Sequence, residues 1–150
     1  MTALEMLDAH FLAMPPVAAM RIQIAAYDGT ALSLRAPLAA NVNDKGCAFG
    51  GSLASVMTLA GWGLINLKLS EAGLAAEVYV ADSHLRYLAP LYDDLLGEAR
   101  LAEQADWPGF LRRYRERGRA RIALTARIST PDGGPVAEMG ARFAALRGNG

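Results

Sequence analysis

The sequence predicts an α+β fold in which an antiparallel sheet wraps one long helix. The run from Gly46 to Leu67 contains no charged residue, which suits a helix that is buried on most of its sides. Several later segments alternate apolar and polar side chains as strands do. Because most strands are joined by hairpin-type connections, the sheet is expected to be antiparallel with its helices on one face.

The chain is expected to open with a short amphipathic helix. Thr2 and Glu5 have the spacing of a capping box. Apolar residues follow at helical intervals, namely Leu4, Leu7, Phe11 and Met14. Pro15 and Pro16 are expected to end this helix. The first ten residues contain no Lys or Arg, so they do not have the basic start of a secretory signal peptide.

A β-hairpin, a loop and the long helix are predicted next. Alternating segments from Met20 to Ile24 and from Leu32 to Arg35 flank the turn sequence Asp28-Gly29. The stretch from Asn41 to Phe49 is rich in Asn, Asp and Gly and reads as a loop. The helix is predicted from Gly50 to about Leu69 and is closed by Gly73.

The uncharged run raises the question of a membrane span, because about 20 apolar residues can cross a bilayer. Five glycines and four polar residues dilute its hydrophobicity: Gly46, Gly50, Gly51, Gly61, Gly63, Ser52, Ser55, Thr58 and Asn66. The run is therefore predicted to be the buried helix of a soluble domain, with no membrane partner.

Four strands are predicted after the helix. They are Val78 to Leu88, Leu95 to Glu103, Arg119 to Ser129, and Ala137 to Ala145. The third of these has the cleanest alternation, with aliphatic residues on one face and mainly arginine on the other. Their small and aliphatic faces are expected to cover the long helix.

Composition limits the function. The 150 residues suit one domain over 1–150, and a content of 53% hydrophobic residues excludes a disordered chain. Equal numbers of acidic and basic residues argue against attraction of the whole molecule to nucleic acid or anionic lipid. One cysteine and two histidines do not make a disulfide framework or a metal site, so we expect no metal or cofactor and a cytoplasmic location.

The loop before the long helix is the richest candidate for chemistry. The first turn of a helix has free backbone N–H groups and a partial positive charge, which favour an oxyanion. Gly50 and Gly51 let a ligand approach that backbone. Asn43 or Asp44 could hold water, but turn formation and capping by Asn43, Asp44 and Ser52 are the commoner uses of such residues.

Four segments resemble hotdog-fold thioesterases, in particular the putative thioesterase family of the YiiD C-terminal type. They are Asn43 to Gly46, Phe49 to Ser52, Leu59 to Ile65, and Leu85 to Pro90. The resemblance implies a hotdog domain and a dimer that joins two sheets, possible also as a dimer of dimers. It also implies an acyl-thioester pocket at the subunit interface, beside the start of each long helix.

The family patterns do not transfer cleanly to this chain. One hotdog branch has a catalytic carboxylate nine residues after the residue that precedes the Gly-Gly pair, which here is Thr58 counted from Phe49. A hydroxyl cannot act as a base near neutral pH, so Thr58 is expected only to position water. Another branch has an aspartate in the loop at the position of Asn43, and Asp44 adjoins it.

The reaction implied is hydrolysis of an acyl-CoA or acyl-carrier thioester. The N–H groups of Gly50 and Gly51 would receive the oxyanion, and Asp44 would take a proton from water. Asn43 and Ser52 would position that water. The residues expected to contact substrate are Phe49, Gly50, His84, Arg86 and Tyr87. The alternative is a module of the same fold that binds an acyl thioester without hydrolysing it.

Three other features have competing interpretations. Cys47 has no histidine at a nucleophile-type spacing and is expected to be a small loop residue. His84 could face the pocket or be structural. A basic cluster consists of Arg112, Arg113, Arg115, Arg117, Arg119 and Arg121. Nucleic-acid binding is disfavoured for it by the neutral chain, which leaves a solvated face or a contact with the phosphates of CoA.

Overall fold

The computed structural model describes residues 1–148, so the predicted domain over 1–150 extends two residues beyond the described part. Four α-helices and six strands follow in the order α1 (Ala3–Ala13), α2 (Pro15–Met20), β1 (Gln23–Tyr27), β2 (Ala31–Ala36), α3 (Gly50–Glu71), β3 (Glu77–Tyr87), β4 (Leu95–Leu101), α4 (Trp107–Arg117), β5 (Arg119–Ser129) and β6 (Pro135–Leu146). A 3₁₀ turn, Leu38–Ala40, lies between β2 and α3.

The strands form one antiparallel sheet in the order β1-β2-β4-β5-β6-β3. Helix α3 packs against the inner face of this sheet, where the buried side chains of β5 and β6 alternate with exposed residues on the outer face. Leu64 and Ile65 of α3 are fully buried, as are Phe143 of β6 and Leu95 of β4. This is the α+β architecture that the residue pattern predicts and the hotdog fold that the family resemblance implies.

Two glycines let α3 approach the sheet closely. A Cβ built on Gly61 would lie 2.9 Å from Leu124 Cδ1, and one built on Gly63 would lie 2.7 Å from Leu32 Cδ2. Separations under 3 Å are not tolerated between carbon atoms of a packed core. The missing side chains therefore let the helix pack directly against β2 and β5.

Within the described residues, α3 is the single helix long and apolar enough to span a bilayer by length and composition. Most of the apolar window of this helix, 61%, is buried inside the protein. Its lack of charge is thus accounted for by contact with the sheet.

The prolines at 15 and 16 do more than end the first helix. Helix α1 ends at Ala13, before the prolines as predicted, but Pro15 also begins a second helix that was not predicted, because the fixed φ of proline and its missing N–H suit the first turn of a helix. Met20 ends α2, and Arg21 follows in a left-handed conformation with φ 56°. The first strand of the hairpin consequently begins at Gln23 rather than at Met20.

Helix α4 was not predicted. The Asp106 side chain accepts a hydrogen bond from the N–H of Gly109 at 3.1 Å and caps the helix, and Gly118 ends it at φ 72°. Phe110 and Tyr114 are buried beneath it. Arg117 is therefore the last helical residue and not part of the strand face on which Arg119 and Arg121 lie.

Candidate active site

The loop that leads into α3 is organised around Asn43. The Asn43 Oδ1 atom accepts hydrogen bonds from the N–H of Lys45 at 2.8 Å and of Cys47 at 3.2 Å. Its Nδ2 atom donates to Cys47 Sγ at 3.2 Å, and its own N–H donates to the Cys47 carbonyl. Gly46 has φ 86°, which a side chain would strain. Asn43 thus forms a turn, the alternative that the sequence left open for it.

Asn41 fixes the start of the helix, a role that the sequence does not predict. Its side chain is buried and donates to the carbonyls of Met20 and Pro37 at 2.9 and 2.8 Å. Its backbone carbonyl accepts the N–H of Phe49 at 2.7 Å. A buried asparagine that joins three segments in this way gives no local sequence signal, because its partners are distant backbone atoms.

Two backbone N–H groups are free at the first turn of α3. The N–H groups of Ser52 and Leu53 both donate to the Phe49 carbonyl, at 2.9 and 3.0 Å. The N–H groups of Gly50 and Gly51 have no hydrogen-bond acceptor within residues 1–148. The helix dipole adds partial positive charge here, and no acidic side chain lies in the first turn to offset it. The pair can therefore accept an oxyanion.

Two aromatic side chains flank these N–H groups. The Phe49 ring lies over Gly51, where a Cβ would come within 2.4 Å of Phe49 Cε2. Tyr87, from the end of β3, places its Cε1 atom 3.9 Å from the corresponding point on Gly50. Both residues are more than half exposed, at 55% for Phe49 and 57% for Tyr87. The structure thus brings together Phe49, Gly50, Gly51 and Tyr87, all of which the sequence predicts for the site.

The other predicted catalytic residues lie around this centre at different depths. The Asp44 carboxylate is 82% exposed and pairs with Lys45 Nζ at 2.9 Å. Ser52 is buried in the first turn of the helix. Thr58 lies two turns beyond Gly51 on the same helix face, roughly 10 Å along the axis, and its Oγ1 contacts Met139 Sδ at 3.8 Å.

His84 and Arg86 lie on the outer face of the sheet, away from α3. A bulge between Val80 and Asp82 interrupts β3. The alternation of inward- and outward-facing side chains that starts at Val78 is therefore reversed after the bulge. Beyond the bulge, Leu85 and Tyr87 share the inner face with buried residues of β6, whereas His84 and Arg86 face outward.

The outer face carries a groove of about 410 Å³, and Gly140 is one of the residues that line it. His84 and Arg86 line it together with charged residues of the neighbouring strands. Arg86 lies 3.9 Å from Glu138, and Arg100 lies 2.8 Å from Glu98. His84 and Arg86 are therefore not brought to the start of α3 within one chain.

Other chemical groups do not converge in the described part of the chain. Cys47 is buried in the loop, and the ring of His10 lies 6.2 Å from that of Trp62 on α3. Among residues 1–148, no group of three or more His, Cys, Asp or Glu side chains is arranged to hold a metal ion.

A sheet wrapped around a helix whose first N–H groups are free defines a protein of the hotdog class. The chain belongs to the putative thioesterase family of the YiiD C-terminal type, which it matches over residues 6–147. It is also similar to solved structures over nearly its whole length.

A protein of unknown function from Chlorobaculum tepidum is 31% identical, with a TM-score of 0.90 over 96% of this chain and 94% of that one. A putative thioesterase from Shewanella oneidensis is 28% identical, with a TM-score of 0.82 over 96% and 97% of the two chains. A probable thioesterase from Pseudomonas aeruginosa is 24% identical, with a TM-score of 0.79 over 95% and 94%. The last of these likenesses concerns the fold alone.

Proposed function

We propose that this protein hydrolyses acyl-CoA or acyl-carrier thioesters at the start of α3. The observation that carries the proposal is the pair of free N–H groups on Gly50 and Gly51, flanked by two exposed aromatic rings. An acyl carbonyl directed at these groups would develop its negative charge where the backbone donates hydrogen bonds. Membership of a thioesterase family supports the same substrate class.

The proposed reaction is a simple hydrolysis. The oxygen of water bonds to the acyl carbon, and the carbonyl π electrons move to the oxygen, which is held by the N–H groups of Gly50 and Gly51. Asp44 takes the proton of the attacking water. When the intermediate collapses, the C–S bond breaks, and the pantetheine thiolate leaves with the bonding pair and takes up the proton held by Asp44, which returns to its ionised form. A thiolate leaves without a strong acid, which suits a site with few titratable groups.

Asp44 is the proposed base because it is the acidic residue next to the loop turn, and its exposed carboxylate is free to reorient from Lys45. Asn43 holds the loop that carries it, and Ser52 and Thr58 line the helix on which water would be positioned. Phe49 and Tyr87 would contact the acyl-pantetheine part. His84 and Arg86 would reach only a part of the substrate that passes around the edge of the sheet.

The proposed active unit is a homodimer joined through β3. This strand forms the edge of the sheet, and within the described residues it pairs only with β6. Its exposed apolar side chains include Tyr79 and Val80 as well as Tyr87. A long edge strand with exposed apolar residues is a template for pairing with another chain. The charged outer face could in turn join two such dimers, and a reducing cytoplasm suits the single unpaired Cys47.

The proposal is tested by following thiol release from acyl-CoAs of graded chain length and from a loaded acyl carrier protein. Hydrolysis by the unmodified protein is expected, with Gly51→Val as the inactive control because its side chain would collide with Phe49. Asp44→Asn is expected to lower kcat by roughly a hundredfold, the lower range for loss of a general base. Asp8→Asn, an exposed carboxylate on α1, serves as the matched control.

A non-catalytic binding module is the second candidate. Thr58 stands where one hotdog branch has its carboxylate, and Asp44 is engaged by Lys45. This candidate would be favoured over hydrolysis if the unmodified protein bound an acyl-CoA saturably but released no thiol. The Gly51→Val variant should then fail to bind the same acyl-CoA.

A further inference from the structure

The basic cluster of the sequence forms an exposed surface at one end of the molecule. Six of the 13 arginines fall within residues 112–121, where Glu116 is the only acidic residue. The last turn of α4 contributes Arg115 and Arg117, both exposed. Within residues 1–148, neither makes an ion pair of 4.0 Å or less, unlike Arg86, Arg100, Arg127 and Arg142.

The end of α4 is held in a fixed position against the sheet. The Tyr114 hydroxyl donates to the Ala75 carbonyl at 2.6 Å, just before β3. The Arg147 guanidinium, just after β6, donates to the Arg115 carbonyl at 3.1 Å. The end of α4 that carries Arg115 and Arg117 therefore lies beside the start of β3 and the end of β6, near the edge of the sheet.

Within one chain this surface is far from the proposed oxyanion site. The site lies at the Tyr87 end of β3, which is level with Ile128 of β5, whereas α4 ends beside Arg119 at the opposite end of the sheet. β5 has 11 residues, so the two ends are roughly 33 Å apart. Helix α3, with 22 residues, spans a similar length of roughly 33 Å.

Pairing of two β3 strands in antiparallel orientation changes this relation. Full overlap of the 11-residue strands places the partner's Glu77 opposite Tyr87. The partner's Leu146 and Arg119 follow on the next two strands, because Glu77, Leu146 and Arg119 are level within each sheet. Three strand spacings, about 14 Å, therefore separate Tyr87 of one chain from the position of Arg119 in its partner. The partner's α4 ends beside the same row.

We propose that Arg115 and Arg117 of each chain bind the phosphate groups of acyl-CoA whose thioester lies at the start of α3 in the partner chain. A pantetheine arm is roughly as long as four extended residues, about 14 Å, which matches the separation across the dimer and not that within a chain. Guanidinium groups without a carboxylate partner are suited to phosphate. This inference rests on the proposed hydrolysis and the proposed dimer.

The first test is a series of substrates that share one acyl group: acyl-CoA, acyl-dephospho-CoA and acyl-pantetheine. In Arg115→Gln/Arg117→Gln, kcat/KM for acyl-CoA is expected to fall roughly ten- to a hundredfold, the loss of hydrogen bonds to a charged group. The rate with acyl-pantetheine, which has no phosphate, is expected to be unchanged. Arg35→Gln removes an exposed arginine on β2 that makes no ion pair of 4.0 Å or less with residues 1–148, and it is the control for general charge effects.

The second test asks which chain supplies the arginines. A heterodimer is assembled from a Gly51→Val chain and an Arg115→Gln/Arg117→Gln chain, each with its own affinity tag. If the phosphates bind across the interface, one of the two sites stays intact. Its helix start comes from the Arg115→Gln/Arg117→Gln chain and its arginines come from the Gly51→Val chain. About half of the unmodified activity with acyl-CoA is therefore expected. Binding within a chain predicts only the low activity of the arginine variant.

Each remaining outcome contradicts the proposal in a recognisable way. Equal losses with acyl-CoA and acyl-pantetheine would mean a structural role for the arginines, which also lie at a helix end where positive charge is favourable. A loss confined to a loaded acyl carrier protein would mean an acidic protein partner instead. A monomer in solution would exclude a contribution from a partner chain.

Failure of the proposed hydrolysis would be visible separately. If no thioester is cleaved, titration calorimetry with CoA, dephospho-CoA and pantetheine still measures the phosphate contacts. The Kd for CoA is then expected to rise at least tenfold in Arg115→Gln/Arg117→Gln and to stay unchanged in Arg35→Gln. An unchanged Kd for CoA in the double variant would overturn the arginine site itself.

Discussion

At the scale of single residues, two adjacent glycines at the start of α3 have different surroundings. A methyl group on Gly50 would be in ordinary contact with Tyr87 at 3.9 Å, but one on Gly51 would meet the Phe49 ring at 2.4 Å. We expect Gly51→Ala to displace this ring and to lower kcat/KM for acyl-CoA at least tenfold, as positional errors of about 1 Å do. Gly50→Ala is the matched control and is expected to retain most activity.

The predicted collision between a side chain at position 51 and the Phe49 ring can be tested by also removing that ring. Phe49→Ala/Gly51→Ala relieves the contact, so the double variant is expected to lose less activity than the sum of the two single changes. Strictly additive losses would show that the Phe49 ring is not what a side chain at position 51 disturbs.

The residues of the candidate site were predictable where local sequence decides them. Phe49, Gly50 and Gly51 follow from a helix start, which is a local feature. His84 and Arg86 were expected to contact substrate with Tyr87, yet the bulge after Val80 turns them to the outer face. Because a strand has a period of two, one extra residue exchanges the faces, and nothing in the sequence of β3 marks where that residue lies.

At the scale of elements, the packing of α3 depends on its glycines. Gly61→Ala adds a methyl group within about 3 Å of Leu124 and Phe143. The cost of overpacking exceeds the gain in helix propensity, so the free energy of unfolding should fall by about 1–2 kcal/mol. Gly140→Ala, where nothing lies within 4 Å of the new atom, is expected to change it by less than about 0.5 kcal/mol. Urea denaturation measures both.

A contact between β1 and the end of α3 predicts a specific pH dependence. The Tyr27 hydroxyl donates to Glu71, and burial, aided by this hydrogen bond and by the charge of Glu71, raises the pKa of Tyr27 above its usual value of 10.0. The folded state therefore holds the phenolic proton more tightly than the unfolded state, and this stabilisation is complete below pH 10 and is lost as the pH rises above it.

Tyr27→Phe removes the hydrogen bond and should lower the free energy of unfolding by about 1 kcal/mol at pH 8. The difference between the two proteins is expected to shrink from pH 9 to pH 11, as measured by urea denaturation at each pH. A difference that grows with pH would contradict the raised pKa.

The two helices that were not predicted, α2 and α4, both have a proline in the first turn. Helix α1 does end before Pro15 as predicted, but Pro15 also starts α2. In α4, Trp107, Phe110 and Tyr114 lie at helical spacing behind the Asp106 cap, a signal that the dense arginines and Pro108-Gly109 obscured. The long helix, both hairpin strands and the last four strands were predictable, because periodic apolar residues reflect the core they face.

At the scale of the whole molecule, the site at the start of α3 is open on the side of β3. Phe49 and Tyr87 are both more than half exposed there, and a small-molecule site normally buries most of its ligand. Pairing of two β3 edges would supply the missing wall and would cover Tyr79 and Val80. In the proposed dimer, the pairing of the two β3 strands would therefore also enclose the substrate.

This connection predicts that assembly and activity are lost together. Tyr79→Lys/Val80→Lys places like charges along the edge, as natural edge strands do to prevent pairing. Light scattering is expected to give a mass near 32 kDa for the unmodified protein, twice 15.9 kDa, and near 16 kDa for the variant. Thiol release from acyl-CoA should fall with the dimer fraction. Leu96→Lys, an exposed leucine on the outer face of β4, is the control. If Leu96→Lys separated the subunits and the β3 variant did not, the outer face would be the interface and the site would lack its second wall.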